Sequence, residues 1–253
     1  MIMRRIVVAL AALAVTVTAV AKPVEVSFAA ADGVRVYGDV YASAAGKTAP
    51  TILLFHQAGG DARGEYLRIA IRLLDEGYNV IAVDQRSGGD RFGGENRTVA
   101  ALDNAEFGYC DAYPDLEAAL TYAREAGFSG PLAVWGSSYS AALVFQLGAK
   151  NAQEVDAILG FSPAAGPPLA DCALRPYLED LAVSALALRP RREYEIESVR
   201  KQMEEFDSVG VQTYVADPGV HGSSMLSDER VQASTEATWT VVLEFLKANL
   251  REN

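Results

Sequence analysis

Two rhythms of apolar residues alternate along this chain. Short β-branched or continuously apolar runs recur, and between them apolar positions fall three and four apart, the spacing of one helix face. The runs at 24–28 and 34–41 are joined through Ala31, Asp32 and Gly33, a turn signal that predicts a hairpin. Continuous apolar runs at 51–55, 80–83, 132–135 and 157–161 predict strands buried on both faces, and 182–188 and 211–215 bring the number to eight. Helical spacing links Tyr66, Ile69, Ala70, Leu73 and Leu74, and helices are predicted over 114–126, from the turn after 135 to about 150, and over 196–206. Trp239, Val242, Leu243, Leu246 and Leu250 form the stripe of a last helix. A hairpin followed by alternating strands and helices predicts a mostly parallel eight-stranded α/β sheet with helices on both faces, binding its ligand beyond the strands' carboxyl ends.

Residues 1–21 change the picture of where the protein works. Arg4 and Arg5 precede an apolar run, and Ala19, Val20 and Ala21 offer a small-x-small cleavage site, so 1–21 is read as a secretory signal peptide. The uncharged run over 6–21 is 16 residues with two threonines, short of the roughly 20 apolar residues that span a bilayer. The expectation is a periplasmic or secreted protein with no stable membrane insertion after cleavage. Residues 22–253 suit one domain with a sizeable core. With 33 acidic against 22 basic residues, the net charge of -11 argues against non-specific attraction to nucleic acid or anionic lipid. Cys110 and Cys172 are the only cysteines, and in an oxidising compartment they point to a disulfide, the alternative being two separate buried thiols.

Candidate chemistry centres on residues 132–148, where an apolar strand runs into Gly136-Ser137-Ser138-Tyr139-Ser140 and then a helix of small and apolar residues. Such a turn presents Ser138 as a nucleophile, with Gly136 and Ser140 at the two flanking positions where bulk would collide. Ser162 also follows an apolar strand, but Pro163, Pro167 and Pro168 forbid a helix directly after it. A serine needs a base, and the chain has only His56 and His221. His221 lies in a loop after the last strand, where a base can reach the serine turn. His56 ends the third strand, ahead of Gly59 and Gly60, and is read as the organiser of its own loop.

The order of hairpin, His-x-x-Gly-Gly loop, serine turn, acid and histidine resembles the α/β-hydrolase superfamily over the whole of 22–253. The segments 56–59 and 84–89, with no long insertion, are most similar to dienelactone-hydrolase-type small esterases. The resemblance implies the α/β-hydrolase fold without a large cap domain, Ser138 as nucleophile and His221 as general base. It implies an oxyanion hole from the N–H groups of Tyr139 and Ala58, with Gln57 as a one-residue alternative. The acid belongs after the seventh strand, where the usual Gly-x-x-Asp is missing. Glu193 occupies the best-matching place and Glu195 is the runner-up, while Asp217, before Pro218 and Gly219, reads more simply as a turn.

The glycine-rich stretch over 88–94 lacks the Gly-Lys-Ser or Gly-Lys-Thr of a nucleotide loop and is read as a loop over the site, carrying Arg86, Arg91, Phe92 and Asn96 toward substrate. Two histidines and no clustered cysteines argue against a transition-metal centre, and no cofactor is expected. These features favour a serine hydrolase that cleaves an ester, lactone or thioester of a small-molecule acyl substrate through an acyl-enzyme. The alternatives are a peptidase of the same fold and a catalytically inert binding protein on a hydrolase scaffold.

Overall fold

The computed structural model describes residues 22–103, 105–179 and 181–250; residues 1–21, read above as a signal peptide, lie outside them. The described residues form one eight-stranded sheet in the order β1-β2-β4-β3-β5-β6-β7-β8. The strands are β1 (Val24–Ala29), β2 (Arg35–Tyr41), β3 (Thr51–Phe55), β4 (Asn79–Asp84), β5 (Leu132–Ser137), β6 (Ala157–Phe161), β7 (Ser184–Pro190) and β8 (Gln212–Ala216). Only the β1–β2 and β2–β4 pairs are antiparallel; the rest of the sheet is parallel. The hairpin turn closes with Ala30 N–H on Val34 O at 2.8 Å and Gly33 at φ 86°, a conformation that suits glycine.

Among the described residues eight α-helical segments accompany the sheet: α1 (Ala62–Asp75), α2 (Arg97–Ala100), α3 (Tyr113–Glu125), α4 (Tyr139–Lys150), α5 (Arg191–Tyr194), α6 (Glu197–Ser208), α7 (Asp228–Val231) and α8 (Glu236–Asn249). Strand residues point alternately to the two faces, so the continuous apolar runs feed two cores. Leu53, Phe55, Val134 and Ile158 meet α3, α4 and α6, whereas Ile52, Leu54, Trp135 and Leu159 meet α1 and α8. Helix α4 is buried from Tyr139 to Gly148, which is why it carries almost no charge. A Cβ on Gly148 would fall 2.3 Å from Ile158 Cδ1, so glycine lets the helix lie close on β6. No helix among the described residues is long and apolar enough to cross a membrane.

One element sits differently from the sequence expectation. β7 runs over Ser184–Pro190, two residues beyond the apolar run, because parallel pairing with β8 carries Arg189 opposite Val215 and Pro190 opposite Ala216. Arg189 is 5% exposed, a charged residue inside a buried strand. The shift places α5, and with it Glu193, directly at the strand's carboxyl end.

Candidate active site

Ser138 joins β5 to α4 at φ 59°, ψ −115°, a conformation that non-glycine residues adopt only when their surroundings impose it. The surroundings are specific. Ser138 N–H donates to Phe161 O at 2.8 Å, and Ser138 O accepts from Ala141 N–H and Ala164 N–H, both at 3.1 Å. At Gly136 a Cβ would lie 2.3 Å from Ser140 O, so the strand meets the helix too closely for any side chain. Ser140, where many such turns have glycine, is fully buried: its hydroxyl donates to His56 O at 2.6 Å and accepts from Gln85 Nε2 at 3.0 Å.

His221 follows β8 and its Nδ1 lies 2.5 Å from Glu193 Oε1. The other oxygen, Oε2, accepts from Arg189 Nη1 at 2.7 Å. Arg189 also donates to Pro163 O and, at 2.5 Å, to Gln202 Oε1 of α6. Burial alone would raise the Glu193 carboxyl, but the hydrogen bonds and charges of His221 and Arg189 outweigh it and bring the pKa down to about 2. The carboxylate is therefore ionised at neutral pH. Glu195 is exposed and among the described residues its carboxylate has no hydrogen bond or ion pair, and Asp217 meets Arg191 Nε at 3.3 Å rather than the imidazole. Among the described residues no hydrogen bond joins Ser138 Oγ to His221, a contact that is often looser before substrate is bound.

His56 is fully buried. Its Nδ1 lies 2.9 Å from Gln57 O, and its Nε2 receives Gln85 N–H at 2.9 Å and Asn96 Nδ2 at 3.1 Å, so both ring nitrogens serve the loop. The Gln57 N–H and side-chain amide are both taken by Glu65, at 2.9 and 3.2 Å, which removes Gln57 as a free donor. The N–H groups of Ala58 and of Tyr139, the first residue of α4, have no acceptor among the described residues.

The loop after β4 departs from expectation. Arg86 is buried and bonded to Asp115 and Asp32, and Asn96 caps α2 while holding His56, so neither points to substrate. The buried Asp115 and the partly exposed Asp32 claim the first, and the imidazole claims the second. Phe92 lies under the Arg230 guanidinium, 4.1 Å from its ring centre, and Arg91 donates to Gln57 Oε1 at 3.2 Å. Cys110 and Cys172 are joined, with their Cα atoms 5.5 Å apart. Beside His221 opens a groove of about 1100 Å³, lined by Leu169, Leu174, Leu178, Ile196 and Val199 and also by charged side chains including Arg175, Glu179, Lys201 and Glu205. Arg189, Ser162 and Glu65 carry no signal in the sequence beyond their residue types, because the bonds that give them their roles, to Glu193, Gly222 and Gln57, form only in the fold.

A mostly parallel sheet with its leading hairpin, a strained serine between strand and helix, and a histidine–carboxylate pair at the same sheet edge define an α/β-hydrolase. Within that superfamily the chain belongs to the serine aminopeptidase S33 family of hydrolases, whose model matches residues 46–236. The fold is similar to that of an esterase of Pyrococcus furiosus, at TM-score 0.68 and 21% identity over 91% of this chain and 93% of that one. An α/β hydrolase of Penicillium gives TM-score 0.66 at 14% identity over 91% and 99% of the two chains. An acylaminoacyl peptidase of Pyrococcus horikoshii gives 0.64 at 14% identity, over 92% of this chain but 42% of the peptidase. A comparison with curated protein sequences gives no match.

Proposed function

We propose that the protein is an exported serine hydrolase that cleaves a carboxylic ester, lactone or thioester through an acyl-enzyme on Ser138. The observation that carries this reading is the strained Ser138, set at the start of α4 with two unbonded N–H groups near it in the fold and the His221–Glu193 pair at the same sheet edge. Ser138 Oγ attacks the acyl carbonyl while His221 takes its proton, and the tetrahedral oxyanion is received by the N–H groups of Tyr139 and Ala58. Collapse breaks the bond to the leaving group, which departs with the proton from His221. Water, deprotonated by the same imidazole, then adds to the acyl-enzyme and releases the acid and free Ser138. Glu193 holds the imidazole's tautomer and stabilises its cation, and the Arg189 clamp holds Glu193.

The cluster of Leu169, Leu174, Leu178, Ile196 and Val199 in the groove favours an apolar acyl or alcohol group, and the resemblance to dienelactone-hydrolase-type enzymes favours a small ester. The leader over 1–21 and the Cys110–Cys172 bridge support export to the periplasm or beyond. A fluorophosphonate probe tests the mechanism: it should label the wild-type protein and not Ser138→Ala, and an unlabelled wild type would favour an inert scaffold. The family's name favours a second reading, an aminopeptidase. Aminoacyl p-nitroanilides set beside p-nitrophenyl esters of rising chain length separate the two.

A further inference from the structure

Four consecutive residues at the end of β6 touch all three segments that carry Ser138, Glu193 and His221. Phe161 O and Ala164 N–H hold the Ser138 peptide from both sides, at 2.8 and 3.1 Å. Ser162 N–H donates to Leu188 O of β7 at 2.8 Å. Pro163 O accepts from Arg189, the residue that clamps Glu193. Ser162 Oγ accepts from the N–H of Gly222, the residue after His221, at 3.0 Å.

Ser162 is fully buried and sits at φ 53°, where glycine would be relaxed and a side chain is strained. What the side chain adds is one acceptor, aimed at the peptide that follows His221. Ser137 does the same one residue further on, accepting from Ser223 N–H at 2.9 Å. The imidazole itself is 46% exposed and its one side-chain hydrogen-bond partner among the described residues is Glu193, so the backbone on which it rides decides where it stands.

We propose that Ser162 is a positioning residue of the hydrolytic site: by holding Gly222 N–H, its hydroxyl fixes where the His221 imidazole stands relative to Ser138. The proposal rests on the reading of Ser138 as nucleophile and His221 as base. A displacement of 1 Å in such a constellation costs roughly 100-fold in rate. A loop loosened at one of its two tethers should lose less, about tenfold.

Two variants separate the hydroxyl from the strained backbone. Ser162→Ala removes the acceptor and keeps the strain, whereas Ser162→Gly removes both, so the glycine variant should melt at the higher temperature of the two. Both should lose about tenfold in kcat/KM for p-nitrophenyl acetate and in the second-order rate of fluorophosphonate labelling. A merely structural role would instead make activity follow melting temperature, with Ser162→Gly active, and that result overturns the proposal. So do labelling rates within twofold of wild type in either folded variant. A wild-type protein that is not labelled at all overturns the reading of Ser138 first and this proposal with it; a labelled wild type with undiminished variants overturns the proposal alone.

Discussion

The hydroxyl of Ser140 donates to the carbonyl oxygen of His56 at 2.6 Å, tying the first turn of α4 to the end of β3. The loop that bears Ala58 starts there, so the two elements contributing the free N–H groups are fastened to each other one residue from Tyr139 and two from Ala58. Gln85 Nε2 completes the junction by donating to the same hydroxyl at 3.0 Å.

Ser140→Gly would restore the commoner Gly-x-Ser-x-Gly pattern, yet it should make the protein worse. It leaves a buried carbonyl and a buried amide without their partner, at a cost of about 1–3 kcal/mol. Thermal unfolding together with ester turnover checks this; a variant that melts like wild type and turns over faster would contradict it.

His221→Ala should lose nearly as much turnover as Ser138→Ala, and the double variant should be scarcely slower than either alone, because a nucleophile and its base act as a unit. Initial rates on one p-nitrophenyl ester, with circular dichroism to confirm folding, are sufficient. Losses that multiply in the double variant would mean that the two residues serve separate steps.

Glu193→Gln should lower turnover on the order of 10³-fold, and Glu195→Gln should do little, since only Glu193 meets His221. The Glu193 carboxyl is held near a pKa of about 2, below the ordinary value of about 4.3. A depressed carboxyl stabilises the fold fully above its unfolded value and loses that contribution as the pH falls through its folded one. The wild-type advantage in melting temperature over Glu193→Gln should therefore be constant above about pH 5 and shrink toward pH 2. A difference independent of pH would show that the His221 and Arg189 partners do not set this carboxyl.

What was legible in the sequence was whatever a local pattern encodes. Leu53, Val134 and Ile158 lie in continuous apolar runs because parallel strands are covered on both faces; four strands are legible from such runs, and the hairpin strands from their β-branched residues and the turn between them. The place of Ser138 followed from Gly136 and the small residues of α4. The end of β7 was misplaced because Arg189 reads as a surface residue, and only its clamp on Glu193 and Pro163 keeps it buried. For the same reason only its place after the seventh strand favours Glu193 over Glu195 in the sequence: which carboxylate meets His221 depends on where α5 begins after Pro190. Arg86 and Asn96 were assigned to substrate because their partners Asp115 and His56 lie 29 and 40 residues away. Ser162 was dismissed as a failed nucleophile turn, and its bond to Gly222 spans 60 residues.

The Cys110–Cys172 bridge joins the short 3-10 turn Cys110–Ala112, after β4, to the 3-10 segment Pro167–Cys172, after β6. Leu169 and Leu174, on either side of Cys172, line the groove beside His221, so the bridge restrains a wall of the site. Closing a loop of 62 residues contributes roughly 4 kcal/mol on the chain-entropy account. In a domain of this size, reduction should lower the melting temperature by about 8–16 °C. On the reading that the acyl chain extends from Ser138 into this groove, KM for a hexanoyl ester should rise more than KM for an acetyl ester once the wall is loosened. Protein from an oxidising compartment should show no titratable thiol after denaturation without reductant. Two thiols under those conditions would leave the cysteines unpaired, and an equal change in both KM values would free the groove wall from any dependence on the bridge.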